Sequence, residues 1–307
     1  MDRNKNLKTI ITFLSIGMAF IGGVYAGIDA FLTFENDAIA PRPQDNDYTH
    51  GTKIELVDNN SGFHYMLSQT MYAPSDLTTS KHIVGDRPYC GMALFGVGHQ
   101  LLEDEDSPWS HYAELNLGVI GPSAKCKETQ RLIHKWLGCK EPMGWDNQLH
   151  DEFVVNVQYW LKYNWYICKY VALVPRMGIA AGTIQDFADI GVDLKIGYNI
   201  APVATSPLIF SVPQHGSDFL SKFSCYVFAG VGERYYLYNH ILQGSMFSHK
   251  DDGLDVSIEP FVTEFRCGIV FSYDRFFSSY YCIFRTDEFK HQPNAPDFGG
   301  ICIGWRF

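Results

Sequence analysis

Gln130 and His134 stand four residues apart in the stretch GVIGPSAKCKETQRLIHKWLG, residues 118–138. On a helix that spacing puts an amide and an imidazole on one face. Four other polar groups interrupt apolar runs: Glu35-Asn36-Asp37, Tyr48-Thr49-His50-Gly51, Asp86-Arg87-Pro88-Tyr89-Cys90-Gly91 and Gly144-Trp145-Asp146-Asn147-Gln148-Leu149. A histidine among carboxylates and amides suits a general base, and the oxygen donors suit a hard cation such as calcium. The chain has no GxSxG elbow, HExxH, P-loop or GxGxxG, so serine-hydrolase, zinc-protease and nucleotide chemistry lose their usual anchors. Each group also has a bland reading. Asn-Asp at a strand end is commonly a turn former, Asp-Arg-Pro is commonly a surface turn, and Arg–carboxylate pairs commonly line barrel interiors.

The elements that would carry these residues are written in the period of a β-strand. In 109–119 the odd positions are Trp, His, Ala, Leu, Leu, Val, against Ser, Tyr, Glu, Asn, Gly. The same alternation runs through 189–198 and 261–273, the signature of a sheet whose faces meet different surroundings. Long strands, aromatics near strand ends and a terminal GGICIGWRF favour an all-β transmembrane barrel over a soluble sandwich. Coarse runs near 30–36, 50–57, 63–72, 89–101, 109–120, 150–163, 166–181, 188–200, 220–236, 257–274, 278–287 and 297–307 predict about twelve antiparallel strands. The first and last should pair, because closure removes sheet edges in lipid. Short connections follow strands two, four, six and ten, and long ones follow strands one, three, five and nine. With periplasmic termini the long set is extracellular, so all the polar groups above meet at one rim. The segment 201–219, with three prolines, breaks that rhythm. Within 118–138, Ser123 is the expected N-cap, Gly138 the stop, and Leu132, Ile133, Trp136 and Leu137 the apolar face. This short helix belongs to an extracellular-side loop.

MDRNKNLK, an uncharged Thr9–Gly23 and the small residues to Ala26 read as a secretory signal peptide over 1–26, an uncleaved anchor being the competing reading. Residues 27–307 then form a single domain. A formal charge of −10 argues against nucleic acid as a partner and against a polybasic membrane patch. Eight cysteines in an exported chain allow disulfides, and Cys126 with Cys139 could staple the loop around the helix.

The ordered series END, YTxG, DRPYxG, GPSA…Q…H and GWDxQLxxE, between Glu35 and Glu152, resembles the outer-membrane lipid A 3′-O-deacylase family, the LpxR type. Cys90 and His50 depart from its pattern, standing where small or amide residues are commoner. The resemblance implies a monomeric enzyme of the bacterial outer membrane, its active site on the extracellular side among outer-membrane lipids. It would hydrolyse the 3′-acyloxyacyl ester of lipid A within lipopolysaccharide. His134 would match the general base. Asn36 and Asp37 would match an active-site pair near Ca2+, with Gln130 and Thr49 as further catalytic residues. Glu141 would join Asp37 as a metal ligand, and Arg87 and Asp86 would bind substrate, Arg87 at a lipid A phosphate. In an ideal strand Asn36 and Asp37 point to opposite faces, so a bulge or strand end must reconcile them. An outer-membrane phospholipase, or a non-catalytic pore or adhesin, would share the same barrel pattern.

Overall fold

The computed structural model describes residues 27–41, 47–101, 107–200, 223–247, 254, 256–294 and 296–307. The signal-peptide reading and the proline-rich segment 201–219 lie outside them. Thirteen strands run in chain order: β1 (Ile28–Asn36), β2 (Asp47–Asp58), β3 (Phe63–Ala73), β4 (Cys90–Leu101), β5 (Trp109–Ile120), β6 (Glu152–Tyr163), β7 (Trp165–Cys168), β8 (Val171–Gly182), β9 (Gln185–Tyr198), β10 (Ser224–Asn239), β11 (Phe261–Tyr273), β12 (Phe276–Arg285) and β13 (Phe298–Arg306). Among the described residues two α-helices interrupt them, α1 (Cys126–Leu137) and α2 (His240–Gln243).

Twelve of these strands form a closed antiparallel ring. Each pairs with its sequence neighbour, β6 pairs directly with β8, and β1 pairs with β13 from Asp29↔Arg306 to Asn36↔Gly299. Closure gives every strand two partners, as a sheet in lipid requires. The one departure from the predicted strands is the run expected over 166–181. It breaks at Lys169-Tyr170, and β7, continuing the line of β6, pairs with the first residues of β8 across that turn.

The parity reading assigns the faces correctly. Along β1 the odd residues Asp29, Phe31, Thr33 and Glu35 are buried inside, while Phe34 is exposed outside. The interior is polar and charge-paired. Tyr48 and Tyr281 each donate a 2.6 Å hydrogen bond to Glu35. Arg285 pairs with Glu264 at 2.8 Å, and Arg176 and Arg234 both reach Asp189. These are charge-assisted contacts in a space shielded from bulk water, where pairing decides whether a charge is tolerated. The outer wall carries Leu67, Phe95, Phe153, Ile179, Ile190 and Phe265, all exposed, which is the apolar band a bilayer covers.

Candidate active site on the outer wall

The predicted site residues do gather at one rim, but they divide between two sides of the wall. β1 ends at Asn36, which is still extended (φ −163°, ψ 143°), and a 3₁₀ turn, Asp37–Ile39, begins at once. The strand end resolves the conflict between neighbouring side chains, since Asp37 is no longer in the strand. The Asn36 side chain caps the turn by accepting from the Ala38 amide at 2.9 Å, and it donates to the Thr49 carbonyl at 2.6 Å. The turn folds over the outside of the barrel. Tyr280, on the outer face, donates to the Ile39 carbonyl at 3.1 Å, and Ile39 covers Gly299. Asp37 is buried beneath it.

Opposite Asn36, β2 carries a bulge at Thr49, where its pairing with β3 slips between Tyr48 and His50. The extra residue switches parity. Tyr48 points inward to Glu35, whereas His50 joins Thr52 and Ile54 outside, with its ring 4.8 Å from Phe34 and its Nε2 2.8 Å from the Thr52 hydroxyl. The buried Thr49 hydroxyl has no hydrogen-bond partner among the described residues.

Asn36, His50, Met71 and Gly91 are successive register partners across β1–β4, a row around the outer wall just under the rim. The far end of that row seats the helix. Gly121, with φ +102° and the His150 carbonyl 2.6 Å from where a Cβ would sit, turns the chain out of β5. Pro122–Ala124 then form a 3₁₀ turn, and Lys125 in the left-handed region starts α1. Ser123 is therefore not the N-cap; its amide donates to Asp151 Oδ1, and the α-helix begins three residues later. Gly138, at φ +74°, does end it. The start of α1 lies against Gly91: a Cβ there would stand 2.7 Å from the Cys126 Cβ. The neighbouring Ala124 carbonyl accepts from Gln69 at 2.7 Å. Cys126 packs with Met71, Ala73, Tyr89 and Trp145. Burial pushes its thiol up to about 12, so it stays neutral. The staple between Cys126 and Cys139 does not form. Both are free, at opposite ends of a helix about 18 Å long, far beyond disulfide reach.

The buried line of α1 is Cys126, Gln130 and His134, one residue per turn. Trp145 Nε1 donates to Gln130 Oε1 at 2.6 Å, which fixes the amide and leaves Gln130 Nε2, itself buried, without a partner among the described residues. Past Gly138 the chain doubles back, and the Lys140 carbonyl lies 2.5 Å from His134 Nδ1. A carbonyl can only accept, so Nδ1 carries the proton and Nε2 is left as the basic nitrogen. Arg131 holds Glu141 at 3.0 Å across the same turn, both largely exposed. Lys127 holds Asp146 at 2.5 Å, tying the Trp145 turn to the helix. Sequence reasoning quoted Trp145 without a role and did not single out Lys140, yet they set the orientation of the amide and the tautomer of the imidazole. The GWD spacing was the available signal for the first; a backbone carbonyl gives no sequence signal.

Arg87 and Asp86 lie on the other side of the wall, at the mouth of the lumen. Asp86 accepts from the Ser75 amide at 2.7 Å and from the Arg87 amide at 2.7 Å. Arg87 is buried between Asp47 (2.7 Å) and Glu288 (2.6 Å), stacked near Tyr72 and Phe289. Burial alone would weaken the guanidinium charge, but Asp47 and Glu288 outweigh it and hold the group firmly protonated. A phosphate would have to displace a carboxylate to reach it. Among the described residues no three His, Cys, Asp or Glu side chains gather closely enough to hold a metal ion. Glu141 in particular stands with Arg131 rather than with a second acid.

Comparison with known proteins agrees with an outer-membrane barrel. A family model described as Outer membrane protein LpxR matches residues 24–307. The chain belongs to the LpxR family. The solved structure of LpxR from Salmonella typhimurium is similar over 91% of this chain and 100% of its own, with a TM-score of 0.77 at 19% identity. At that identity the likeness speaks to the fold. The translocator domain of the autotransporter NalP from Neisseria meningitidis aligns over 99% of this chain and 97% of its own, at a TM-score of 0.45 and 9% identity. No curated protein matches the chain. As an LpxR-family barrel, the protein resides in the outer membrane.

Proposed function

We propose that the protein is a lipid A 3′-O-deacylase, hydrolysing the ester of the 3′-acyloxyacyl group at the extracellular side of the outer membrane. The observation that carries this reading is the outer-wall placement of His134 with Nδ1 donating to the Lys140 carbonyl. It leaves a basic Nε2 beside the bilayer, where the ester of an outer-leaflet lipid lies. Family membership supports an LpxR-like enzymatic role.

In this mechanism His134 Nε2 takes a proton from water as its oxygen adds to the ester carbonyl. The unpartnered Gln130 Nε2, aimed by Trp145, donates to the oxygen on which charge develops. The imidazolium then returns its proton to the departing 3′-oxygen, giving a carboxylic acid and an alcohol. α1 begins two strands from His50, about 10 Å away, and runs about 12 Å from Cys126 to His134. That is long enough to bring the base along the row toward Asn36. Asn36 holds the bulge through the Thr49 carbonyl.

The oxygen donors at this end of the row suit calcium. Asp37 is the buried acid and the Thr49 hydroxyl is an orphaned buried oxygen, so these two would hold the ion. A bound Ca2+ would supply Lewis-acid polarisation of the ester carbonyl. Glu141 could contribute only after releasing Arg131. Chelation should remove activity and calcium should restore it; activity untouched by chelation would remove the ion from the scheme.

Lipid A from cells expressing the protein should lose its 3′ acyl chains by mass spectrometry. An unchanged spectrum with correctly folded protein in the membrane would overturn the proposal. The same wall site is open to glycerophospholipids. Release of lysophospholipid from phospholipid vesicles, with lipid A left intact, would favour a phospholipase instead.

A further inference from the structure

The outward side of α1 is built the wrong way round for water. Its buried line is polar at Gln130 and His134, while Leu132 and Trp136, about 200° around the helix from that line, are 46% and 51% exposed. Ile133 is half-buried, and Met143, in the following turn, is 53% exposed. The Leu137 side chain lies outside the described residues. A water-facing helix puts its apolar stripe inward. This one puts large apolar groups outward, away from the wall it is seated on.

Two further observations say what covers that face. Directly below the seat, the wall is already the apolar band. Leu67 is four residues down β3 from Met71, and Phe95 is four residues down β4 from Gly91, about 13 Å in each case, and both are exposed. The helix therefore rides on the upper edge of the lipid-facing belt. The charge also changes sign here. In a chain of net charge −10, residues 125–141 carry five basic residues (Lys125, Lys127, Arg131, Lys135, Lys140) against Glu128 and Glu141. Lys127 and Arg131 are tied to carboxylates, but among the described residues no acid pairs with Lys125 or Lys135.

We infer that α1 is an interfacial anchor, with Leu132, Trp136 and Met143 inserted among outer-leaflet acyl chains and Lys125 and Lys135 paired with anionic lipid headgroups. Basic residues flanking apolar and aromatic ones on a short helix are the pattern of in-plane membrane binding. The partner is an anionic lipid surface. The inference stands on the barrel's place in the outer membrane and survives a failure of the esterase reading.

The test uses full-length protein reconstituted into vesicles containing anionic phospholipid, in wild-type form and as Trp136→Phe. Subtracting the two emission spectra isolates Trp136, whose exposed position lets the variant keep its heat-modifiable barrel. Phospholipids brominated near the headgroup should quench about half or more of that difference signal, and aqueous acrylamide should leave most of it. Quenching by acrylamide with none by bromolipid would place Trp136 in water and overturn the inference. Shielding from both, with a dimer by sedimentation, would assign the face to a second copy and equally overturn it. A Lys125→Glu/Lys135→Glu variant should lose bromolipid quenching in anionic vesicles while matching wild type in zwitterionic ones. Equal quenching in both would remove the headgroup pairing.

Discussion

Two polar knots lie on the same rim, one on each side of a single sheet, and they are built to opposite specifications. At the lumen mouth, Arg87 is answered by Asp47 and Glu288, and Glu288 is shared with Arg285. On the outer wall, Gln130 Nε2 and the Thr49 hydroxyl are buried with no hydrogen-bond partner among the described residues, and Nε2 is left as the basic nitrogen of His134. A charge that is already paired cannot easily serve a ligand, because the ligand must first break the pair. An orphaned donor costs stability until something fills it. The first knot is spent on holding the barrel's mouth together. The second carries an unmet demand, which is what a site for chemistry requires.

Replacing His134 with Ala should cut ester hydrolysis by roughly 10²–10⁴-fold, measured as rate per folded protein, with the heat-modifiable barrel intact. Full activity in that variant would erase the distinction between the two knots. Arg87→Met should do the reverse. It strands Asp47 and Glu288, so unfolding in urea should move to lower denaturant by about 3–5 kcal/mol, while the rate per folded molecule stays near wild type. A raised KM at unchanged stability would instead assign Arg87 to a substrate phosphate. Trp145→Phe keeps an aromatic ring in its packed position but frees the Gln130 amide, and kcat should fall about tenfold with KM little changed.

The smallest effect concerns pH. Burial pushes the Glu288 carboxyl up, but Arg87 and Arg285 outweigh it and hold it below the usual carboxylate range. A depressed carboxyl stabilises the fold above its unfolded value, near 4.3 for Glu, and that contribution is lost as pH falls through the lower folded value. Stability should therefore drop on acidification below about pH 4, and Glu288→Gln should flatten the profile. An acid limb identical in the variant would show that the lumen knot does not set it.

The barrel was readable because strand parity is a strict two-residue rhythm and closure follows from it. Gathering the polar groups at one rim needed only the counting of connections. The side of the wall was not readable. It depends on the bulge at Thr49, which turns His50 outward, and on the missing side chain of Gly91, which admits Cys126. Neither has a local pattern of its own. The apolar stripe of α1 was read in the sequence, but the direction it faces was not. Only the seat of the helix shows that the stripe points away from the wall. Ser123 looked like a cap because Pro122 precedes it, yet the chain spends three residues in a tighter turn first.

The placement of His134 outside the ring also changes what concentration means for this protein. A site inside the lumen would wait for lipid to climb out of the leaflet and over the rim. On the proposed reading, a site on the wall would meet a lipid substrate by sideways diffusion within the plane of the membrane, in a two-dimensional solvent. Turnover should then follow the surface mole fraction of substrate, falling when inert lipid dilutes the leaflet and indifferent to the volume of water around it.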